Sequence, residues 1–307
     1  MEVKFKKMYS MKKILIFNVL FALMFSLVSF AQEEQVEEEE PMTPMTDIFE
    51  KAIVEEKKPV EYAAIREEDV LWSQSIWRII DCREKLNFHL YYPTDDIQSR
   101  KSLAQALVDG IRNKKIQAYD DENFAKKLSI SKVTERLGAA DKEVRQDKID
   151  GPGDTLIIQK GYVSWGQIRE YKVKEKWFFD KRHSRLDVRI IAICPVKVFK
   201  KDNDGNSVDA TGSDMDNLAR QELCWIYFPE ARRVLANTTC YTGKNQQANI
   251  SFDDVFHKRY FSSRITRATN VNDIDITEYT HGGIEAILES ERIKNEMLKM
   301  ESDFWNY

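Results

Sequence analysis

The residues that come closest to a catalytic arrangement lie in the segment NISFDDVFHKRYFSSRI, residues 249–265. Asp253 and His257 are four positions apart, so on a helix they would share one face, and the carboxylate could orient the imidazole as a general base. This dyad is the basis of one hypothesis, an exported hydrolase. The hypothesis has little support, because no serine or cysteine of the chain has the setting of a nucleophile elbow.

A second polar cluster is the stretch DNDGN, residues 202–206. Calcium prefers clustered carboxylate and carbonyl oxygens, and an EF-hand loop places its glycine after three alternating ligands. Gly205 follows only two, and no glutamate closes the loop at the twelfth position. We therefore predict a polar loop. Because zinc-ligand spacings and glycine-rich phosphate loops are also absent from the sequence, we predict no metal site and no cofactor.

The segment that carries the dyad is predicted to begin as a capped helix. Ser251 and Asp254 have the spacing of a capping box, in which each side chain satisfies a free backbone amide at the start of a helix. An apolar stripe then follows at helical spacing, formed by Phe252, Val255, Phe256 and Tyr260. The alternative to catalysis is thus an amphipathic helix whose exposed side contacts another protein.

Arginines are the strongest candidates for such a contact, because a guanidinium group binds a carboxylate through two parallel hydrogen bonds. Basic residues flank the predicted helix on both sides. The candidate partner-contact residues are Arg232, Arg233, Asp253, His257, Lys258, Arg259 and Arg264. Nucleic acid is not an expected partner, since the body of the chain is close to neutral and has no basic stripe.

The sequence patterns around these residues predict an α+β fold with a helical N-terminal half. Between residues 59 and 150, the clearest prediction is a helix over Glu67–Lys85, with acidic residues in its first turn and basic residues in its last. Its apolar residues Trp72, Ile76 and Ile79 have helical spacing. Gly138 is predicted to end a later helix.

Residues 151–307 are predicted to form a mixed, mainly antiparallel sheet with helices. Alternating apolar residues from Leu186 to Val198 predict a long strand, and Lys172–Phe179 forms its partner across a tight turn. A final helix carries an apolar stripe formed by Ala286, Ile293, Met297, Met300 and Phe304. The parts 59–150 and 151–307 are either two units or one continuous domain.

The N terminus has the layout of a secretory signal peptide. Five lysines precede an apolar run of about 15 residues, shorter than the roughly 20 that span a bilayer. We predict a signal peptide over residues 1–31, cleaved between Ala31 and Gln32. Residues 1–31 carry five lysines and one glutamate, so cleavage changes the formal net charge from −4 to about −8. Residues 32–58 hold most of the remaining acidic excess and are predicted to be a disordered leader.

Export predicts an oxidising compartment in which cysteines can pair. The chain has four, Cys82, Cys194, Cys224 and Cys240, and their spacing alone does not determine a pairing. Cys194 and Cys224 lie on predicted strands joined by one long loop and form the favoured disulfide. Four free, buried thiols remain the favoured expectation over any disulfide.

Three segments resemble the GldN/PorN family of the type IX secretion and gliding machinery. They are REKLNFHLYYP at 83–93, FPEARRVL at 228–235 and the segment 249–265, and the resemblance extends from about residue 60 to the end. The acidic leader lies outside it. The resemblance transfers no catalytic residues.

The resemblance implies a periplasmic, non-enzymatic structural subunit at the inner side of the outer membrane of a Gram-negative bacterium. Such subunits assemble with the outer-membrane lipoprotein GldK/PorK into large rings and contact the periplasmic part of GldM/PorM. Copies of the chain would therefore also contact each other in the ring. Association with the membrane would be indirect, through the lipoprotein.

Overall fold

The computed structural model describes residues 57–95, 100–138, 142–147, 154–159, 163–201, 207–208, 218–240 and 250–305. Residues 56–307 form one compact unit. The predicted signal peptide, its cleavage site and almost all of the acidic leader lie outside the described residues. The same is true of the predicted polar loop at 202–206. Along the described residues, no helix is both long and apolar enough to cross a membrane.

A single antiparallel sheet of eight strands is the centre of the unit, and its main path runs in the order β10-β1-β5-β6-β9-β2. Strands β7 and β8 also pair with β6, and β3 and β4 form a separate hairpin. The strands are β1 (Val70–Asp81), β2 (Ala118–Tyr119), β3 (Lys142–Asp147), β4 (Asp154–Gln159), β5 (Ile168–Asp180), β6 (Arg185–Lys201), β7 (Ser207–Val208), β8 (Leu218–Glu222), β9 (Trp225–Tyr227) and β10 (Arg264–Ala268).

Seven described α-helices surround this sheet. They are α1 (Phe88–Tyr91), α2 (Leu103–Arg112), α3 (Ile130–Leu137), α4 (Phe228–Ala236), α5 (Phe252–His257), α6 (Ile276–Tyr279) and α7 (Ile284–Trp305). Short 3-10 helices occupy Glu67–Asp69, Lys85–Asn87 and Trp165–Gln167. Helix α3 ends at Gly138, whose φ of 89° lies in the left-handed region, as predicted.

The prediction of a helical N-terminal half is wrong. Where the sequence predicted a helix over Glu67–Lys85, the chain makes one 3-10 turn and then the twelve-residue strand β1. This strand lies inside the sheet, with β5 on one side and β10 on the other. Ile76 and Ile79 point to opposite faces of a strand and both are buried, because both faces are covered there. A strand buried on both faces gives apolar spacings that also fit a helix.

The predicted hairpin in the second half is confirmed as the β5–β6 pair. Its register runs from Asp180 opposite Arg185 at the turn to Ile168 opposite Lys197 at the far end. Because β1 pairs with β5, the sheet joins the two parts of the chain that the sequence divided near residue 150.

Two apolar clusters hold the helices on the sheet. The larger lies between the sheet and helices α2, α4 and α5, and includes the fully buried residues Leu107, Tyr171 and Phe252. Burial of each such side chain contributes roughly 1.5–3 kcal/mol. The smaller cluster fixes α7 to the edge of the sheet through Ile76, Ile265, Ile276, Ile293 and Met297.

Candidate functional site

Helix α5 begins as the sequence predicted. The Ser251 hydroxyl accepts a hydrogen bond from the amide of Asp254 at 3.2 Å, and the Asp254 carboxylate accepts one from the amide of Ser251 at 3.0 Å. Partial burial raises the pKa of Asp254, but the hydrogen bonds from Ser251 outweigh it, so the pKa lies below its ordinary value. The helix ends at His257, earlier than the predicted stripe, and leaves Tyr260 exposed.

Arg232 and Asp253 were predicted to contact a partner, but the structure places them in the interior, paired with each other. Arg232 donates two hydrogen bonds to the Asp253 carboxylate, at 2.7 Å from Nε and 3.1 Å from Nη2. Each side chain is only 6% exposed. The Tyr62 ring covers the guanidinium group, whose carbon lies 4.3 Å from the ring centroid. This bidentate pair links helices α4 and α5.

The proposed Asp253–His257 dyad is not formed. Asp253 is occupied by Arg232, and within the described residues no hydrogen bond joins its carboxylate to His257. His257 is exposed, and its ring centroid lies 6.4 Å from that of Tyr62. A carboxylate that binds a guanidinium group with both oxygens does not orient an imidazole, so the geometry does not support general-base chemistry here.

Arg259 also turns towards the interior. Its φ of 53° places it in the left-handed region directly after α5, and its Nη1 lies 2.9 Å from Oε1 of the fully buried Glu175. Arg78 approaches the same carboxylate at 3.0 Å, and the Trp177 indole donates a hydrogen bond to it at 2.8 Å. Arg259 further lies 5.3 Å from the centroid of Trp177. Two cations and one indole therefore compensate the buried charge of Glu175.

Four of the predicted contact residues are exposed: Arg233, His257, Lys258 and Arg264. Arg233 lines a groove of about 820 Å³ together with Lys58 and Lys115. Arg264 lines a second groove, of about 680 Å³, between β10 and the start of α7. The sequence-predicted set is thus divided between residues in structural ion pairs and residues whose side chains face the solvent, and only the second group is placed to meet a partner.

Sequence reasoning missed Glu175, the buried carboxylate that pairs with Arg259. Glu175 is the one acidic residue among the side chains at alternate positions from Tyr171 to Phe179, and this interruption of an apolar series was the available signal. A second missed cluster lies on the other side of β1, where Arg267 stacks 3.8 Å from the centroid of Trp77 and pairs with Glu122 at 2.7 Å. Its three residues are far apart in sequence, so spacing gave no sign of it.

All four cysteines are buried and free. Cys194 packs with Trp225 in one apolar cluster, whereas Cys224 belongs to the main core. Burial raises the pKa of the Cys224 and Cys240 thiols to about 12. Such thiols are protonated at neutral pH and react slowly, and the Cys194–Cys224 disulfide stays a prediction. Within the described ranges, no group of three or more histidine, cysteine or acidic side chains is placed to hold a metal ion.

Fold and site together define an α+β scaffold in which ion pairs fasten helices to a sheet and several cations face the solvent. The chain matches the profile of the family described as "Gliding motility associated protein GldN" over residues 65–306. The match covers most of the chain, and the protein belongs to the GldN family. This family is associated with gliding motility and type IX secretion and is a structural component of the secretion system. No curated protein matches the chain.

Proposed function

We propose that this protein is a non-enzymatic structural subunit of the type IX secretion machinery. It acts in the periplasm, at the inner side of the outer membrane, where it builds a ring with the lipoprotein GldK/PorK and contacts the periplasmic part of GldM/PorM. Secretion and gliding motility depend on this assembly. The observation that carries the proposal is the family match over residues 65–306.

The division of the polar residues supports a structural role. Buried ion pairs engage Glu175, Asp253 and their arginine partners, and these pairs hold helices α4 and α5 to the rest of the fold. Arg233 and Arg264 are exposed beside grooves, and Arg264 also lies close enough to Asp81 to help lower the pKa of that carboxyl. Guanidinium groups in this setting suit carboxylates on the surface of a neighbouring subunit.

Copurification after crosslinking tests the proposed assembly. The tagged chain is expected to recover the lipoprotein from cells. Arg233→Glu and Arg264→Glu are each expected to reduce recovery, because a reversed charge repels the carboxylates that the arginine attracts. Lys132→Glu is the matched control, since Lys132 is also exposed but lies on α3 and lines neither groove.

If the wild-type chain recovers no lipoprotein under crosslinking, the proposed partner is wrong. If the wild-type chain recovers it and both arginine variants recover as much as the control, the partner is right but these arginines do not contact it.

A further inference from the structure

The groove beside Arg233 lies where the second halves of helices α2 and α4 meet the segment 57–61. We call it the α2–α4 groove, and its volume is about 820 Å³. Its basic lining residues are Lys57, Lys58, Lys101, Lys115 and Arg233, and its acidic ones are Glu61 and Asp109. The groove is therefore positive, although the chain as a whole has a formal net charge of −4.

Three of these cations are not neutralised by the fold. The Nζ atom of Lys101 lies 2.6 Å from a carboxylate oxygen of Asp109, so these two charges offset each other. Along the part of the chain that the structure describes, no ion pair joins a carboxylate to Lys58, Lys115 or Arg233, and all three are exposed. Like charges repel, so their convergence from three separate segments favours an anion in the groove.

The groove beside Arg264 differs in this respect, although it also has five basic lining residues. Three of them, Arg78, Lys172 and Arg220, have carboxylate oxygens at 3.0, 2.5 and 3.0 Å from their side-chain nitrogens. Arg264 itself lies near Asp81. Most of the positive charge at that groove is thus compensated within the fold, whereas the α2–α4 groove keeps a surplus.

Helix dipoles account for only part of this surplus. Arg233 lies in the last turn of α4 and Lys115 follows the end of α2, and a cation at either place offsets the negative end of a helix. Lys58 lies on a segment that is neither helix nor strand, so the same reason does not apply to it. An anion between the three side chains would be attracted by all of them.

The floor of the groove is apolar and is made of small residues, namely Ala106, Gly110 and Val234. The two helices are in close contact there, because a Cβ atom on Gly110 would lie 3.5 Å from Cγ1 of Val234. The exposed amide of Asn113 can hydrogen-bond a peptide group. This combination suits a peptide whose carboxylates alternate with small apolar side chains, whereas a phosphate group would use only the cations.

We propose that the α2–α4 groove binds an acidic segment of a partner protein, with carboxylates at Lys58, Lys115 and Arg233 and small apolar side chains on the floor. The inference rests on the proposed function and deepens it by naming the kind of partner segment that one groove takes. The occupant is acidic because the groove has uncompensated positive charge, and it is a peptide because the floor is apolar.

Fluorescence anisotropy with a labelled peptide of alternating glutamate and valine tests this chemistry in the purified full chain. The wild-type chain is expected to bind the peptide, and added salt is expected to raise the Kd because it screens exposed charges. A peptide with glutamine in place of glutamate is expected to bind at least about tenfold more weakly. A peptide with glycine in place of valine is also expected to bind more weakly, since it buries no apolar side chain on the floor.

Charge reversal locates the binding site. Lys58→Glu, Lys115→Glu and Arg233→Glu are each expected to raise the peptide Kd about three- to tenfold, because an attraction between exposed charges becomes a repulsion. Lys132→Glu and Arg264→Glu are the matched controls, since both residues are exposed and neither lines this groove. Circular dichroism confirms that each variant is folded. The proposal is wrong if the wild-type chain does not bind the peptide, if the glutamine peptide binds equally well, or if the groove variants bind as tightly as the controls.

Competition separates a carboxylate ligand from a phosphate ligand. At matched ionic strength, neither inorganic phosphate nor vesicles that contain anionic lipid are expected to displace the peptide. Displacement by either would show that the cations of the groove bind phosphate, and it would overturn the proposal.

A photo-crosslinking amino acid in place of Glu61 identifies the occupant in cells. Glu61 lines the groove, and its replacement removes none of the cations. Mass spectrometry of the product is expected to find an acidic segment of another protein. A crosslink only to the acidic leader of this chain would assign the groove to the leader and overturn the proposal.

The groove and the proposed function can fail separately. A chain that recovers the lipoprotein but binds no acidic peptide would refute the groove and leave the proposed function standing. A chain that binds the peptide through the groove but never recovers the lipoprotein would do the opposite.

Discussion

Breaking the Arg232–Asp253 pair is the perturbation that best separates a structural role of these residues from a catalytic or partner-binding one. Three variants are needed: Arg232→Met, Asp253→Leu and the double variant. Each single substitution leaves the opposite charge buried without a partner, since each side chain is only 6% exposed. The double substitution removes both charges and leaves an apolar contact between α4 and α5.

The expected magnitudes follow from this burial. Removal of one partner from a buried ion pair costs about 3–5 kcal/mol. For a unit of this size, that loss lowers Tm by roughly 10 °C. Arg232→Met also gives up the cation–π contact with Tyr62, which contributes about 0.5–2 kcal/mol. The double variant is expected to be at least about 2 kcal/mol more stable than either single variant, because no charge remains unpaired.

Urea unfolding of the purified chain, followed by circular dichroism, measures these differences. The reasoning is refuted if each single variant loses less than about 1 kcal/mol, or if the double variant loses the sum of the two single losses. A different failure is equally informative. If Asp253→Leu is as stable as the wild type but secretion stops in cells, Asp253 belongs to a functional site.

Three further predictions concern the capped helix, the histidine and the thiols. Asp254→Asn removes the negative charge from the first turn of α5 and is expected to cost about 0.3–1 kcal/mol at neutral pH. Because the pKa of Asp254 is lower in the folded chain, its contribution is complete above the ordinary value of 3.8 and is lost as pH falls through the lowered pKa, so wild type and variant should converge in acid. Divergence in acid would contradict this. His257→Ala should change the free energy of unfolding by less than about 0.5 kcal/mol and leave secretion intact, since the ring is exposed and forms no dyad; lost secretion in a stable variant would restore a functional role for it. Ellman's reagent should react slowly with the native chain, because burial raises the pKa of Cys224 and Cys240 to about 12. In denaturant it should count four thiols, whereas a count of two would indicate a disulfide such as the predicted Cys194–Cys224 pair.

The features that sequence predicted well are those controlled by local interactions. The capping box of Ser251 and Asp254 needs only a turn of helix, and the β5–β6 hairpin joins neighbouring segments with a clear alternation of side chains. The buried stripe of α7 was also found, because one face of a long helix is a strong periodic signal. In each case the information lies within about thirty residues of sequence.

The features that sequence missed depend on distant partners. The sequence predicts a helix where strand β1 lies, because the apolar residues of this strand serve both faces of a sheet, and the strands that pair with it are about 100 and 190 residues away. Distance in sequence also explains why the burial of Asp253 was not predicted. Its charge and position suggested a surface contact, but Arg232 lies on another helix and Tyr62 on a distant segment. Nothing in the local pattern distinguishes a buried, paired carboxylate from an exposed one.

Secretion in a verified deletion strain is the most direct test of the central claim, that this chain is a subunit of the type IX secretion machinery. The measurement is the amount of cargo with a type IX sorting domain in the culture medium, for the deletion strain and for the same strain carrying the gene on a plasmid. The account predicts that cargo disappears from the medium on deletion and returns with the plasmid. Normal secretion by the deletion strain would contradict it.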